Sequence, residues 1–418
     1  MHAYVLASNR VISPFNRAVG EMRIHNRRLR DLQLDTLQAL GCTVEWIDRI
    51  EEVRQLPSLV IADDLYFTHQ ALAGFLKAAC QSDRVNSRAA LPVSILTERF
   101  APAFQGTQVD GPDGTPCRAY DCYLLRQFDP QVSLELQAEL APIEHRVAKV
   151  RSSANRYFEP SGRFVLPASA VYMTPIQHWS CLVAANILGM PGFFLRALRQ
   201  RPVAALSLPV RMILRAASLR PTRLLGKLYL AGRRCRIDPS AHIEAALLDR
   251  RVKIGPNAVI RGCVIGEGAA IGPNAVLEGC TIGPGATVNP GVVARCCVIG
   301  QEANLGSFFT QMSVLGNGAV MCPDSGILDF SFRNSVPVEF QQATVPCGSQ
   351  LLGGCLGDRA FLGPGLNLAA GQELPNDCVL VPNPRGLVRG LGRPLPEHAL
   401  QIDGATGRPI SRSHKRAA

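Results

Sequence analysis

Acidic residues are missing from one long interval of this 418-residue chain. Between Glu159 and Asp238 there is no aspartate or glutamate, whereas the same interval carries twelve arginine and lysine side chains. The net charge of the whole chain is +11, so this interval accounts for the entire positive excess. Surfaces in contact with water normally mix charges of both signs. The imbalance therefore points to an anionic partner or to acids supplied by another part of the chain.

Two further absences narrow the class of protein. Among the 14 cysteines, no Cys-x-x-Cys pair is followed by a second cysteine or histidine pair, which argues against a zinc site. The N-terminus lacks the basic-then-apolar pattern of a secretory signal. We therefore expect reduced thiols and a cytoplasmic location. The chain is 47% hydrophobic and 18% charged, which is typical of two or three globular domains.

The most regular feature of the sequence is a repeat of aliphatic residues. Its period is the constant spacing at which isoleucine recurs at Ile237, Ile254 and Ile271. Three aliphatic ladders share this period, and they divide it into three nearly equal steps, as from Ile254 to Ile260 to Ile265 to Ile271. This spacing predicts a triangular prism of short parallel strands with a turn at each corner. We interpret the glycines after the aliphatic positions as corner residues that supply backbone freedom. The ladders are Ile237, Ile254, Ile271, Val288 and Leu305; Ile243, Ile260 and Leu277; and Leu248, Ile265, Ile282 and Ile299.

This pattern resembles the hexapeptide-repeat, left-handed parallel β-helix family. The register slips at Leu315, and the pattern is lost from 322 to 350, which predicts a loop inserted into the prism. It resumes at CLGDRAFLGPGLNLAAG, beginning at Cys355. Cys263, Cys280 and Cys297 are separated by the same period. We interpret them as small residues in equivalent places, with a metal or redox site as the alternative.

The stretch from Met1 to Cys80 alternates between strand and helix patterns. Strands are predicted from Ala3 to Ala7, Thr43 to Asp48 and Ser58 to Asp63, with helices from Arg27 to Leu40 and Thr68 to Ala79. Such alternation predicts an α/β domain with a parallel, Rossmann-like sheet.

Two segments of this domain resemble the sugar-phosphate nucleotidyltransferases. NRRLRDLQLDTLQALGC, from Asn26 to Cys42, is similar to the substrate-binding helix of that family, and LVIADDLYF, from Leu59, is similar to its strand that ends in a metal-binding aspartate. The resemblance implies Mg²⁺ at Asp63 or Asp64 and substrate binding near Asn26. Arg17, Arg23 and Arg27 are the nearby cations that could hold the substrate's phosphates. The family's glycine-rich phosphate loop is replaced by LASNRVISPFNR, from Leu6 to Arg17, and the first lysine is Lys77.

A nucleotidyltransferase-like domain before a hexapeptide β-helix is the layout of the bifunctional uridylyltransferase/acetyltransferases of UDP-N-acetylglucosamine synthesis. The resemblance implies a homotrimer and acyl-CoA bound along the coils, with a histidine as general base. Between 237 and 385 the only histidine is His242, in the first coil. It is a weak candidate base, and a surface histidine at a corner of the prism is the alternative.

The acid-free interval has three interpretations. The uncharged run from 164 to 195 is short for a membrane span and favours an interfacial or re-entrant segment. Basic amphipathic helices follow, in which Arg211, Arg215, Arg223 and Lys227 would face an anionic membrane surface. The alternatives are a helix pair that packs on the β-helix and a nucleic-acid patch, for which exposed aromatic residues are missing after Phe194.

The sequence thus predicts an α/β nucleotidyltransferase-like (Rossmann-like) N-terminal domain with a C-terminal left-handed parallel β-helix. We divide the chain into 1–160, a basic connector at 161–236, the β-helix at 237–385 and a tail at 386–418. The predicted function lies in sugar-nucleotide or cell-envelope polysaccharide metabolism, with one or both transferase sites degenerate. The alternative is a non-catalytic, membrane-associated scaffold or sugar-nucleotide-binding protein. Under both hypotheses we expect a cytoplasmic protein that is peripheral on the inner membrane.

Overall fold

The computed structural model describes residues 1–81, 84–153, 163–217, 224, 226–332, 335–383, 400–402 and 409–411. The N-terminal part is built around a mixed sheet. Its elements are β1 (His2–Leu6), β2 (Val11–Ile12), β3 (Arg17–Ala18), β4 (Arg23–Ile24), β5 (Arg27–Arg28), α1 (Leu29–Ala39), β6 (Thr43–Ile47), β7 (Ser58–Ala62), β8 (Leu65–Phe67), α2 (His69–Cys80), β9 (Asn86–Pro92), β10 (Thr107–Asp110), β11 (Pro116–Leu125), α3 (Leu134–Gln137), β12 (Glu139–Pro142), β13 (Ala148–Ser153), β14 (Arg163–Ala168) and β15 (Met173–Pro175).

The main sheet runs in the order β12-β9-β11-β7-β1-β6. Strand β1 pairs in parallel with β6 and β7, whereas β11 is antiparallel to both of its neighbours. The predicted α/β beginning is confirmed, and helices α1 and α2 lie close to the expected bounds. The apolar faces of α1 and α2 pack on this sheet through Leu37, Leu72 and Phe75, which are fully buried. The sheet is mixed rather than parallel because β11 runs antiparallel to the strands on either side of it.

Four helices and a strand join the sheet to the second domain: α4 (Trp179–Leu188), α5 (Met190–Gln200), α6 (Pro202–Leu206), α7 (Leu208–Ala216) and β16 (Lys227–Ala231). Every residue of α4 is buried. Trp179 and Leu182 lie in one apolar cluster with Phe15 and Ile24 of the N-terminal part and with Val314 of the second domain. Helix α4 is therefore the core of the junction between the two domains.

The predicted interfacial or re-entrant segment at 164–195 contains α4. Every residue of this helix is buried, and an uncharged helix is also what a protein core contains. The membrane role of the segment stays a prediction. Among the described residues, no single helix is long and apolar enough to cross a membrane. Helices α4 and α5 reach that length and hydropathy only when they are taken together across a bend of 53°.

The second domain is a prism of stacked coils. Its strands are β17 (Arg236–Ile237), β18 (His242–Leu248), β19 (Lys253–Ile254), β20 (Val259–Arg261), β21 (Val264–Ile265), β22 (Ala270–Ile271), β23 (Val276–Glu278), β24 (Thr281–Ile282), β25 (Thr287–Val288), β26 (Val293–Arg295), β27 (Val298–Ile299), β28 (Asn304–Leu305), β29 (Phe309–Gln311), β30 (Val314–Leu315), β31 (Val320–Met321), β32 (Gly326–Ile327), β33 (Pro337–Phe340), β34 (Ala343–Pro346), β35 (Cys355–Leu356), β36 (Phe361–Leu362), β37 (Asn367–Leu368), β38 (Glu373–Leu374) and β39 (Val379–Leu380), followed by the separate pair β40 (Leu400–Ile402) and β41 (Pro409–Ser411).

The predicted repeat is confirmed strand by strand. Ile254 pairs with Ile271, and Ile271 pairs with Val288, all in parallel and all buried. The slip at Leu315 is also present, because Leu315 pairs with Ile299 although it lies one position earlier than the period requires. β32 still pairs with β37, so the insertion leaves the prism after Ile327, later than the predicted start at 322. The inserted segment contains the hairpin β33–β34.

The glycines that follow the aliphatic positions have a different role from the expected one. A Cβ on Gly283 would lie 2.4 Å from the carbonyl carbon of Gly300 in the next coil, and one on Gly266 would lie 2.6 Å from the nitrogen of Pro284. These glycines are required because successive backbones approach closely. The left-handed corner conformation falls instead on other residues, such as Gly268 and Asn274.

The cysteine ladder is part of the apolar core. Cys263, Cys280 and Cys297 are buried, and each thiol has a backbone carbonyl within donating distance, as Cys263 Sγ has Arg261 O at 3.2 Å. Across the part of the chain that the structure describes, no group of three or more His, Cys, Asp or Glu side chains is arranged to hold a metal ion. The three thiols thus act as small core residues.

Candidate phosphate-binding cleft

A cleft of the described structure lies where the N-terminal hairpins meet the prism. Its volume is about 780 Å³. It contains all four residues that the sequence predicted as substrate or phosphate ligands. The cleft is lined by Arg17, Ala18, Glu21, Arg23, Asn26, Arg27, Arg28, Asp31 and Asn317. We call this site the arginine cleft.

A short hairpin positions the predicted ligands. β4 and β5 pair antiparallel, and the two residues between them, His25 and Asn26, have φ angles of 51° and 65°. Two successive left-handed residues form the tight turn that best matches the twist of two paired strands. Asn26 Nδ2 then donates to Ile282 O of the prism at 2.8 Å. The hairpin tip is therefore fixed to the coils while Arg23 remains exposed at its edge.

The turn residue His25 is buried under the hairpin. Its ring stacks on Phe193 of α5 with ring centroids 4.4 Å apart, and its backbone N–H donates to Asn186 Oδ1 at 2.8 Å. Burial lowers the pKa of His25 to about 3, because the charged imidazolium would lose its hydration. His25 is thus a neutral packing residue that supports the hairpin turn.

Asn186 of α4 connects three parts of the molecule. Its Oδ1 accepts from the N–H of His25 and from Thr281 Oγ1, both at 2.8 Å, and its Nδ2 donates to Leu182 O at 2.8 Å. The side chain is fully buried, so each of these groups would lose this partner if the amide were removed.

We predict that Asn186→Leu lowers the free energy of unfolding by about 2–4 kcal/mol, because two buried donors and one acceptor lose their partner. Thr281→Val, which removes only one of the three bonds, is the matched control and should cost about 1 kcal/mol. Urea unfolding measures both. Equal stability of Asn186→Leu and the parent protein would contradict the role assigned to this amide.

The cleft arginines differ in their acidic partners. Arg27 pairs with Asp35 at 2.6 Å, Arg28 pairs with Asp31 at 3.0 Å, and Arg17 pairs with Asp358. Arg23 donates to the backbone carbonyl of Asn26 at 3.1 Å and has no carboxylate within ion-pair distance in the described structure. Arg23 is therefore the cation most available to an anionic ligand.

Sequence reasoning missed the prism's contribution to this cleft. Asp358 is buried, and it binds Arg17 through Oδ2 and the N–H of Asn317 through Oδ1 at 2.7 Å. It thereby holds one residue from each domain at the cleft wall. The only signal in the sequence was the coil CLGDRAFLGPG, which contains Asp358, since residues as distant along the chain as Arg17 and Asp358 give no local pattern.

The predicted metal ligands Asp63 and Asp64 directly follow the carboxyl end of β7, beside the end of the parallel strand β1, which is the usual place for a ligand in such a sheet. Asp64 pairs with Arg10 at 3.0 Å, and Asp63 Oδ1 accepts the N–H of Ser8 at 2.9 Å. Burial raises the pKa of Asp64 to about 6, with the charge of Arg10 acting in the opposite direction. These carboxylates do not by themselves form a metal site, so the Mg²⁺ stays a prediction.

His242 lies away from the arginine cleft. It is half-exposed, and its nearest ionic neighbour is Glu244, 3.7 Å from Nε2. The ladder from Leu248 through Ile265, Ile282 and Ile299 reaches Leu315 after four coil steps. That separates the first coil from the coil of Asn317 by roughly 19 Å along the prism, and from the coil of Ile282, to which Asn26 is bonded, by roughly 10 Å. His242 as an acyl-transfer base, and the acyl-CoA it would use, stay predictions.

The cations that were expected to face a membrane differ in exposure and in their contacts. Arg211 is exposed. Arg215 lies over the Tyr229 ring, 4.0 Å from its centroid, and donates to Tyr229 O. Lys227 donates to Pro239 O and Ala241 O, and burial lowers its pKa. Arg223 lies outside the described residues. The predicted helical state of Lys227 is wrong, because Lys227–Ala231 is a strand that pairs in parallel with β18.

Comparison with protein families matches residues 210–327 to a family described as the GMPPB C-terminal domain. The matched interval runs from α7 through the first coils to β32. No curated protein matches the chain. The family match and the curled sheet of parallel strands fit a hexapeptide-repeat β-helix, and the match points to a protein of the sugar-nucleotide nucleotidyltransferase type.

Proposed function

We propose that this protein binds the phosphate groups of a sugar phosphate or sugar nucleotide in the arginine cleft, in the service of cell-envelope polysaccharide metabolism. One observation carries the proposal: four arginines from separate positions of the N-terminal part converge on one cleft of about 780 Å³. The family match of residues 210–327 supports the same ligand class.

The chemistry of the cleft suits a phosphorylated sugar. Guanidinium groups donate paired N–H bonds that match the geometry of phosphate oxygens. We assign Arg23 as the principal phosphate ligand, because in the described structure it can bind phosphate without breaking an ion pair with a carboxylate. The amides of Asn26 and Asn317 line the same space and are of the kind that hydrogen-bond sugar hydroxyls.

The proposal concerns binding, and transfer is a separate question. The segment from Leu6 to Arg17 supplies β2, the start of β3 and part of the cleft wall in place of a glycine-rich phosphate loop. Asp64, one of the two expected metal ligands, is bound by Arg10. These two features favour a sugar-nucleotide-binding protein over an active nucleotidyltransferase. We also propose that the coils wind in a left-handed sense and that the protein forms a homotrimer.

We predict that Arg23→Ala weakens ligand binding by about tenfold or more, because a hydrogen-bonded ion pair with phosphate is lost. Isothermal calorimetry with UDP-N-acetylglucosamine, a GDP-sugar and glucose 1-phosphate measures this, with and without Mg²⁺. Arg54→Ala is the control, since Arg54 is exposed and lies outside the cleft. Binding by the parent protein should also weaken as salt is added.

Three results would count against the proposal: no binding of any of these compounds, binding of equal strength by Arg23→Ala, or an equal loss in Arg54→Ala. Dependence of binding on Mg²⁺ that is lost in Asp63→Asn would support the predicted metal. Turnover of nucleoside triphosphate with sugar phosphate, or of acetyl-CoA with amino sugar, would show a transferase rather than a binding protein. Sedimentation equilibrium tests the trimer.

A further inference from the structure

An exposed apolar stripe runs along α6 and α7. Val203, Leu206, Val210 and Leu214 are 78%, 83%, 59% and 74% exposed. They are three or four positions apart, which places them on one side of a helix. Ser207, which joins the two helices, also has right-handed helical angles, so the spacing continues through the junction. Four large apolar side chains on one exposed face form a contiguous patch rather than scattered surface residues.

The other side of α7 is attached to the prism. Leu208 is buried, and Arg215 lies over the ring of Tyr229 in β16. These contacts fix the helix and leave the stripe directed away from the body of the protein. The stripe therefore has a fixed position on the protein and no packing partner among the described residues.

Exposed cations border this stripe. Arg199, Arg201 and Arg211 are all exposed, and none of them forms an ion pair in the described part of the chain. The sequence offers no acid between Glu159 and Asp238 to offset them. An apolar face with a cationic border is the pattern of a helix that lies in the headgroup region of an anionic bilayer.

We propose that α6 and α7, together with the end of α5, dock on a membrane surface that contains anionic phospholipid. A second copy of this chain is a poorer occupant, because a symmetric contact would bring the same arginines against one another. An anionic bilayer satisfies both parts of the surface, since headgroup phosphates attract the guanidinium groups and the acyl boundary accepts the apolar side chains. This inference does not depend on the arginine cleft.

The test is vesicle flotation of the full chain. We expect binding to vesicles that contain phosphatidylglycerol and much weaker binding to phosphatidylcholine alone. Added salt should reduce binding without abolishing it, because apolar burial is not screened. Arg211→Glu should lower the affinity by about fivefold or more, whereas Arg54→Glu, the same charge change on an exposed residue elsewhere, should not.

The apolar part has its own matched variants. Leu206→Gln and Leu214→Gln should weaken binding at every salt concentration, whereas Leu136→Gln should leave it unchanged. Leu136 is 81% exposed, close to the 83% of Leu206, but lies on α3. Circular dichroism establishes that each variant is folded.

Several outcomes would overturn the proposal. They are the absence of flotation with phosphatidylglycerol, equal flotation with both lipids, and binding that survives both leucine variants but is lost when residues 384–418 are removed. Self-association of the parent protein that Leu206→Gln abolishes, without vesicle binding, would make a second copy the occupant.

Discussion

Ile271→Asp is expected to destabilise the prism by about 5 kcal/mol, because an ionised carboxylate would be enclosed between stacked aliphatic residues with no cation to pair with it. Ile271 is 3% exposed, and Ile254 and Val288 flank it in the adjacent coils. A loss of this size is comparable with the whole stability of many domains. We therefore expect either an unfolded prism at room temperature or a large decrease in the urea midpoint.

The control for this variant is its neighbour in the same strand. Ala270 precedes Ile271, and its side chain points out of the prism and is half-exposed. Ala270→Asp introduces the same charge at the adjacent position and should cost less than about 1 kcal/mol. If both variants unfold like the parent protein in urea, the inward ladder has been assigned incorrectly. If both are equally damaging, charge rather than burial is responsible.

Acid is expected to destabilise the junction through His25. Its pKa is about 3 in the folded protein and 6.5 without burial, so below pH 6.5 the unfolded chain binds a proton that the folded protein does not. Stability from this residue is fully present above pH 6.5 and is lost as the pH falls toward 3, by about 5 kcal/mol in all. His178, whose pKa burial lowers to about 4, adds a loss of the same sign.

His25→Asn should flatten this pH dependence, because asparagine does not titrate and tolerates the left-handed φ of 51°. The variant should be less stable than the parent protein at pH 7, since the stacking on Phe193 is lost, but should lose less on acidification. Urea unfolding at a series of pH values between 7 and 4 measures the difference. His242→Asn, on a half-exposed histidine, is the control. Parallel stability curves for His25→Asn and the parent protein would contradict this account.

Some parts of the molecule were accessible from local sequence because their cause is local. The coils are an example, since each inward position recurs once per coil and the identity of Ile254, Ile271 and Val288 is enough to assign the face. The slip at Leu315 was visible for the same reason. The first strands and helices of the α/β domain were also predictable, because α1 and α2 carry an apolar face of helical period.

The predicted phosphate ligands were chosen because they are cations beside a segment that resembles a known family, and their convergence on one cleft was shown only by the tertiary structure. Arg17, Arg23 and Arg27 were singled out within one short stretch. What the stretch could not show was the contribution of the prism, where Asn317 lines the cleft and Asp358 of the adjacent coil binds Arg17 and Asn317. It also could not show that Arg23 alone of the four cleft arginines has no acidic partner in the described structure.

The acid-free interval shows where sequence alone reaches its limit. Its composition determined that no acid would lie between Glu159 and Asp238, and the spacing of Val210 and Leu214 indicated an amphipathic helix. Composition could not separate the buried α4 from the exposed α7, since both are apolar and free of acids. Nor could it show that Lys227 begins a strand. Those differences depend on which protein surface lies next to each segment. Helix α4 is enclosed between the two domains, and β16 pairs with the edge strand β18 of the prism. The apolar stripe on α6 and α7 contacts neither domain and stays exposed.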